Sequence, residues 1–229
     1  TLGSGTFNLT GTGQTTLAGN LSTSGGAITL SGPVTLGAAS TGVDTTDGGS
    51  VAAGAAITFN GAVDGASTLT LNAGTGGAVT LGGAVGAATT LTGLDVTAGS
   101  FSANTLNIGT GGLSVATQAS DITQGGAFTV TGASSFDAGA HAITLANTNN
   151  HFTGAVSLTN SGANAVALNN GSNALELGDV QVGSGTLTVS GTGITQATGS
   201  TITQAAGAGA AQFNAGAGVL QLDKANTFT

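Results

Sequence analysis

The groups that could do chemistry in this chain of 229 residues are mainly its nine carboxylates. A glycosidase needs two carboxylates across a cleft, and a calcium site needs several carboxylate and carbonyl oxygens. Asp44 and Asp47 are close in sequence, and Asp64 follows some way on. The segment around the first two reads Thr-Gly-Val-Asp-Thr-Thr-Asp-Gly-Gly-Ser, which is typical of a solvated polar turn. We therefore expect a loop here, with Asp44 and Asp47 as the best local candidates for a metal site, which would hold calcium.

The other reactive side chains do not form a catalytic set. His141 and His151 flank a segment that contains Asp137, but a related segment later in the chain has Gly and Thr at the histidine positions. The chain has no Cys, and Lys224 is its only basic residue besides the histidines, which argues against a lyase and against binding of nucleic acid or anionic lipid. We predict that the chain is not an enzyme and has no catalytic residues and no cofactor.

Short strands are the elements that would have to position these residues. The dominant pattern is apolar, polar, apolar over three residues, the alternation of a strand with one buried face. Segments such as Asn169-Asn170-Gly171, which favour turns, separate the triads. The triads lie at 7–9, 28–30, 34–36, 57–59, 69–71, 79–81, 106–108, 113–115, 128–130, 143–145, 156–158, 166–168, 175–177, 180–182 and 187–189.

Composition restricts how these strands can pack. Gly contributes 43 residues, charged residues only 4%, and Phe is the only aromatic side chain. A wide core of large side chains cannot be built, and strands of three residues are too short to be stable in a hairpin. Each strand must pair with equivalent strands above and below it, which predicts an all-β fold, a parallel β-helix or β-solenoid that is continuous over 1–229. We expect roughly 10 to 12 coils of about 20 residues and a length of about 50 to 60 Å.

In such a fold the outer residues of a triad face the core and the middle residue faces solvent. The residues expected to be buried are Leu69, Leu71, Val79, Leu81, Phe128, Val130, Ile143, Leu145, Val156 and Leu158, and those expected to face outward are Thr70, Thr80, Thr129 and Thr144. Outward Thr could order water and bind ice, but the candidate steps, such as Thr68-Leu69-Thr70, are too irregularly spaced to promise one flat face.

An internal duplication is visible in the second half of the chain. The landmarks of the first copy are 122–124, 136–140, 143–145 and 150–153, and those of the second are 202–204, 213–217, 220–222 and 226–229. The offsets are 80, 77, 77 and 76 residues. We predict duplicated segments at approximately 122–153 and 202–229. Because the second ends in mid-repeat, we expect the chain to be a fragment of a longer repeat array.

Two other fold classes suit parts of the sequence. Tandem Ig-like β-sandwich domains would suit a repeat of about 77 residues, but sparse large core residues and the lack of Trp and Tyr argue against them. Disorder suits a chain rich in Gly, but regularly placed branched residues argue against it.

Two stretches carry a family resemblance. The run at 218–229, Gly-Val-Leu-Gln-Leu-Asp-Lys-Ala-Asn-Thr-Phe-Thr, and its relative at 143–154 resemble the strand repeat of autotransporter passenger domains. The stretch at 54–96, with Ile-Thr-Phe-Asn-Gly-Ala-Val and Leu-Thr-Leu-Asn-Ala-Gly-Thr-Gly, is similar to repeats of large filamentous-haemagglutinin-like exoproteins. The resemblance implies a right-handed parallel β-helix on the surface of a Gram-negative bacterium, serving adhesion, aggregation or filament formation.

We therefore expect a structural stalk or filament segment of a secreted, extracellular bacterial cell-surface adhesin, which sets length and stiffness. The expected partners are neighbouring repeats of the same long chain or copies of itself, and a host or surface glycan or protein. Nucleic acid is not an expected partner, and direct membrane insertion is not expected because no run of about 18 apolar residues occurs. The alternatives are a carbohydrate- or protein-binding face on the solenoid, a β-helical glycan-active enzyme and an ice-binding protein.

Overall fold

The computed structural model describes residues 2–229, and this part of the chain consists of strands, turns and irregular segments without a helix. Most strands are short because Gly, Asn and Asp turns interrupt them. The strands are β1 Phe7–Leu9, β2 Thr15–Leu17, β3 Leu21–Ser22, β4 Ile28–Leu30, β5 Val34–Leu36, β6 Ser40–Asp44, β7 Ile57–Phe59, β8 Val63–Asp64, β9 Thr68–Asn72, β10 Ala78–Leu81, β11 Leu91–Ala98, β12 Ser100–Ala103, β13 Leu106–Thr117, β14 Ile122–Gln124, β15 Phe128–Val130, β16 Ser134–Asp137, β17 Ile143–Leu145, β18 His151–Phe152, β19 Val156–Thr159, β20 Val166–Asn169, β21 Leu175–Val182, β22 Leu187–Ser190, β23 Ile194–Gln196, β24 Ile202–Gln204, β25 Ala211–Asn214 and β26 Leu220–Gln221.

Successive strands lie on three faces of the molecule. Face one is a ten-stranded sheet in the order β1-β4-β7-β10-β12-β14-β17-β20-β22-β25. Face two begins with β2, β5 and β8, and Val85 then bridges Val63 to Leu106. The face continues with residues 106–108 of β13, with β15 and β18, with residues 175–177 of β21, and with β23 and β26. Face three contains β3, β6, β9, β11, the second part of β13, β16, β19, the second part of β21 and β24. One turn of the chain passes over faces one, two and three in that order.

Each turn is hydrogen-bonded to the next in parallel. Phe7 pairs with Ile28, 21 residues later, and Ile28 pairs with Ile57, 29 residues later. Every pair of strands in the described chain is parallel, and an isolated antiparallel bridge joins Ser24 to Thr46. Ig-like sandwiches would pair antiparallel strands, so that alternative is wrong.

The chain is therefore a β-solenoid of about ten turns, as the triads predict. At a rise of about 4.8 Å per turn it is about 48 Å long, close to the lower end of the expected range. The right-handed winding implied by the resemblance stays a prediction.

One apolar core runs along the interior of the solenoid. The ten residues predicted to face inward are each at most 1% exposed, whereas Thr70 and Thr144 are exposed and Thr80 and Thr129 are half-buried. All the predicted triads are strands or parts of strands. Burial of one such Leu or Ile side chain stabilises the fold by about 1.5–3 kcal/mol. The narrow core is thus built from several stacked rows of side chains, and each turn adds one residue to each row.

The triad pattern does not predict strands that lack two large apolar residues. In β12 the inward residues are Phe101 and Ala103, and in β6 they are Thr41 and Val43. Neighbouring turns nevertheless supply a complete set of strand partners, such as β10 and β14 on either side of β12. Pairing with adjacent turns therefore compensates for a weak local pattern.

The duplicated segments lie on different faces of the solenoid. Ile143–Leu145 is β17 on face one, whereas the corresponding Leu220–Gln221 is β26 on face two, three turns further on. Phe136 of face three corresponds in the same way to Phe213 of face one. One repeat of about 77 residues therefore advances three turns and one face.

Two reciprocal amide pairs determine how the duplicated segments align at their start. Gln124 and Asn150 exchange side-chain hydrogen bonds of 2.8 and 2.9 Å, and Gln196 and Asn226 exchange two of 2.8 Å. The sequence alone predicts that Gln124 corresponds to Gln204, because both follow Ile-Thr. The hydrogen bonds match it with Gln196 instead, whereas the bounds of the duplicated segments stay a prediction.

Candidate functional surfaces

The loop after β6 contains both candidate metal ligands. Asp44 Oδ1 accepts hydrogen bonds from Thr46 N at 2.7 Å and Thr46 Oγ1 at 2.6 Å, and Oδ2 accepts one from Gly48 N at 2.8 Å. Partial burial acts to raise the pKa of Asp44, but these hydrogen bonds outweigh it and hold the pKa below its usual value. Asp47 has a φ of 53° in the turn that follows. Both oxygens of Asp44 thus close the loop.

Three other carboxylates tie a turn to the next one. Asp64 accepts hydrogen bonds from two backbone N–H groups at 2.8 and 3.0 Å, Asp121 from one at 2.9 Å and Asp179 from one at 3.0 Å. Each donor lies 21 to 25 residues further along the chain, which is about one turn. Within residues 2–229, no group of three or more His, Cys, Asp or Glu side chains is placed to hold a metal ion.

The two histidines lie apart. His141 is in the corner between faces three and one, where its Nδ1 is 3.9 Å from Asp121 Oδ1. His151 is on face two, beside Thr129 of the previous turn. Asp137 accepts a hydrogen bond from Gly139 N at 2.9 Å at the end of β16. The structure therefore brings His141 to Asp121, a contact that sequence reasoning did not find because the two residues are joined by stacking of turns.

The one lysine is paired locally. Lys224 Nζ is 2.8 Å from Asp223 Oδ1, and Gln221 Nε2 donates to Asp223 Oδ2 at 2.9 Å. The hydrogen bond from Lys224, followed by that from Gln221, lowers the pKa of this exposed carboxyl.

Buried amides carry the backbone around several corners. Asn150, Asn160 and Asn170 are at most 1% exposed, and each both accepts a backbone N–H and donates to backbone carbonyls. Phe128 N and Phe152 N, for example, donate to Asn150 Oδ1 and Asn170 Oδ1 at 2.9 and 2.7 Å. These side chains replace strand hydrogen bonds where the chain bends.

Hydroxyl side chains line up along the outside of face one. Strand register places the middle residues in one row, which consists of Asn8, Thr29, Thr58, Thr80, Ser102, Thr123, Thr144, Ala167, Thr188 and Gln212. This row is not among the Thr steps singled out in the sequence, which were expected not to form one flat face. The Thr pairs noted in the sequence lie on faces two and three, and turns of unequal length conceal the row on face one.

An open polar groove of about 480 Å³ follows the corner between faces one and two in the later turns. Its polar side chains are Thr148, Asn169, Ser172, Ser190, Thr192 and Asn214. Asn169, Ser190 and Asn214 are register neighbours in three successive turns. The side-chain oxygens of Asn169 and Asn214 accept N–H groups of their own turns, at 2.8 and 3.0 Å. Their amide nitrogens have no hydrogen-bond acceptor within the described chain.

Comparison with known proteins gives one match. No curated protein and no solved structure matches the chain. None of the described residues forms a helix long and apolar enough to cross a membrane. A model of a family described as repeats of unknown function, DUF5649, matches residues 84–159 and 162–229, which include both duplicated segments and more than half of the chain. The repeated turns, the duplicated amide pairs and this match agree, and the chain belongs to the family of DUF5649 repeats.

Proposed function

We propose that this chain is a structural stalk or filament segment of a bacterial cell-surface adhesin, exposed outside the cell, in which it sets length and stiffness. The observation that carries the proposal is the uninterrupted stacking of about ten turns around one core. Backbone hydrogen bonds run from each turn to the next, along the solenoid axis, so that stretching or bending must strain many of them together. An extracellular setting is supported by the resemblance to autotransporter passengers and filamentous-haemagglutinin-like exoproteins.

The same proposal includes no catalysis. Asp44, Asp64, Asp121, Asp137 and Asp179 each accept hydrogen bonds from backbone N–H groups, and so have a structural use. A general acid or base needs a partner that tunes it and a place for substrate beside it. The carboxylates on the outer surface are distributed over separate faces, as Asp64 on face two and Asp95 on face three illustrate.

A length measurement tests the stalk role. The chain is produced with a globular marker at each end and imaged by electron microscopy. We expect one narrow distribution of marker separation, with the solenoid contributing about 48 Å, because ten turns rise about 4.8 Å each. Joining two copies of the chain in tandem should roughly double that contribution if the segment is a stiff spacer. A broad distribution that extends to near contact of the markers would contradict the stalk role.

A second candidate function is weak binding of a neutral glycan in the polar groove. The specific observation is the set of aligned, uncharged hydroxyl and amide groups, of which two amide nitrogens are unpaired within residues 2–229. Ser, Gly and Asn are adaptable hydrogen-bonding residues at binding surfaces. Cellohexaose titrated into the labelled protein should shift the Asn169 and Asn214 side-chain amide signals in NMR spectra. The double variant Asn169→Ala with Asn214→Ala should abolish the remaining shifts around Ser190, and unchanged spectra on titration would rule the candidate out for that glycan.

A further inference from the structure

Face one differs from the other two faces in charge. Its middle row contains only neutral side chains, most of them Thr, and runs through all ten strands of the sheet. Face two carries Asp64 and Glu176 in outward positions, and face three carries Asp95 and Asp137. We propose that face one is the surface through which two copies of this solenoid associate side by side. The proposal goes beyond the stalk role and does not depend on it.

Electrostatics favours this face over the others. The chain has a formal net charge of −8, so two copies repel one another, and they do so least where they meet through a surface without carboxylates. Like charges placed opposite each other across an interface disfavour association strongly. Asp121 is the carboxylate that immediately precedes a face-one strand in the described chain, and it lies at the edge, hydrogen-bonded to Ala142 N and near His141. At the centre of face one, two copies can therefore meet without placing carboxylates opposite each other.

Side-chain size permits close approach. Beside the Thr row, the residue that precedes each strand or begins it is often Ala, and these alanines are half-buried or exposed. They include Ala27, Ala56, Ala78, Ala142, Ala165 and Ala210. Thr presents a methyl group and a hydroxyl that can both donate and accept a hydrogen bond, so a second Thr row can pack on the first and satisfy its polar atoms.

The available area predicts weak association. Ten strands about 4.8 Å apart, each about 10 Å wide, present about 480 Å² per copy, or about 1,000 Å² for the pair. Stable protein interfaces bury about 1,200–2,000 Å², so two single segments should form a weak dimer that exchanges rapidly. Additional turns would add area in proportion, and a longer array would convert many weak contacts into avidity.

Sedimentation velocity on the full chain tests the inference at protein concentrations up to about 1 mM, the range where weak dimers form. Thr144→Glu introduces a carboxylate into the middle row of face one. Ser135→Glu is the matched control, because Ser135 is also an exposed hydroxyl in a middle row, between Ser114 and Ser157 on face three. Circular dichroism and urea unfolding confirm that both variants are folded.

We expect reversible dimers for the unaltered chain, a dissociation constant raised at least about tenfold by Thr144→Glu, and less than about a twofold change with Ser135→Glu. Raising the salt concentration should tighten the dimer of the unaltered chain, because it screens the repulsion between two anionic copies. Three results would overturn the inference. They are a monomer at every concentration, equal weakening by both variants, and association that survives Thr144→Glu, as end-to-end contact through the exposed Leu2 and Val219 would. Thermal hysteresis from a protein that stays monomeric would also count against it, because face one would then bind ice and not a second copy.

Discussion

The two duplicated segments use the same internal contacts in different surroundings. In the first, Asn150 Oδ1 accepts from Phe128 N at 2.9 Å, and Nδ2 donates to Leu145 O at 3.3 Å. In the second, Asn226 makes the equivalent bonds, which are 2.9 and 3.4 Å long and whose partners are Ile202 N and Leu222 O. Each segment also has an edge-to-face pair of Phe rings, with centroids 6.0 Å apart in the first and 5.9 Å in the second.

The surroundings differ because a further turn covers only the first of these clusters within the described chain. Phe152 is 1% exposed, whereas its counterpart Phe228 is 45% exposed. Asn150 also donates to Asn169 O of the following turn at 3.0 Å. The comparison therefore separates two contributions to the stability of each segment. Local sequence specifies the contacts, and the next turn supplies the burial that makes them strong.

The largest test of this difference places a charge at equivalent core positions. Leu145 is fully buried, and the corresponding Leu222 is half-buried. Leu145→Asp should lower the free energy of unfolding by about 4 kcal/mol or more, because the carboxylate is left without a partner in a narrow core. Leu222→Asp should cost about 1–2 kcal/mol, because water reaches the site. Urea unfolding followed by circular dichroism gives both values.

Thr144→Ser is the control for the same strand. Thr144 is exposed next to Leu145, so the change should stay within about 0.5 kcal/mol. Similar losses for Leu145→Asp and Leu222→Asp would mean that burial by the next turn does not distinguish the two segments. A loss for Thr144→Ser as large as that for Leu145→Asp would mean that the strand faces are misassigned.

The second test removes the amide in each segment. Asn150→Ala removes the acceptor of Phe128 N and a donor to the Leu145 carbonyl in a buried corner, and should cost about 2–4 kcal/mol. Asn226→Ala should cost about 1 kcal/mol, because the freed groups are more accessible to water. Hydrogen exchange reports the effect locally, as faster exchange at the Phe128 amide in one variant and at the Ile202 amide in the other. Equal costs would show that the amide bonds act independently of their burial.

The third test concerns acid and a region outside both segments. The pKa of Asp44 is lowered in the folded chain, so its contribution to stability is present above about pH 4, the unfolded value, and is lost as the pH falls through the lower folded pKa. We expect the loop that Asp44 closes to open in that acid range while the Gln124–Asn150 pair stays protected. The expected effect is about 1 kcal/mol, since the carboxylate is partly exposed. NMR spectra recorded against pH follow the Thr46 and Gly48 amides.

Asp44→Asn supplies the control for the acid test. The variant should show a loop that is already looser at neutral pH and has lost its response to acid, because an amide does not titrate in this range. A loop in the unaltered chain that stays closed well below the folded pKa would contradict the role given to Asp44.

The sequence predicts the short strands of the fold but not how many residues each turn contains. Triads such as Ile143-Thr144-Leu145 predict strand position and burial because both flanking residues are large and apolar. The same reasoning misses β6 and β12, where Thr41 and Ala103 face inward. It also misses the Thr row of face one, because the number of residues per turn varies and only backbone pairing shows which residues are neighbours.

The candidate sites follow the same division. The local sequence predicts the polar turn at Asp44 and Asp47, and the hydrogen bonds of Asp44 within this turn agree with the prediction. Hydrogen bonds between turns are different. Asp64, for example, accepts from Ala88 N and Thr89 N, which lie 24 and 25 residues further along the chain, and nothing in the local sequence indicates these contacts. The two Ile-Thr-Gln triplets of the second copy are identical, so only the bond between Gln196 and Asn226 identifies the one that matches Gln124.

The smallest test exchanges residues between the aligned segments. Ser134 faces the core between Leu113 and Val156, and its buried hydroxyl has no hydrogen-bond partner in the described chain, whereas the equivalent position of the second segment is Ala211. Ser134→Ala removes the unpaired hydroxyl and fills the site with the side chain that the second segment already uses. We therefore expect stability to be unchanged or raised by up to about 1 kcal/mol, measured by urea unfolding. The reverse change, Ala211→Ser, should cost less than about 0.5 kcal/mol, because that position is half-buried and a hydroxyl there can reach water. Ser135→Ala on the outer surface controls for loss of a hydroxyl as such and should change little. A clear loss of stability with Ser134→Ala alone would mean that the hydroxyl is paired in solution, and that this position is one where the two segments differ in kind and not only in burial.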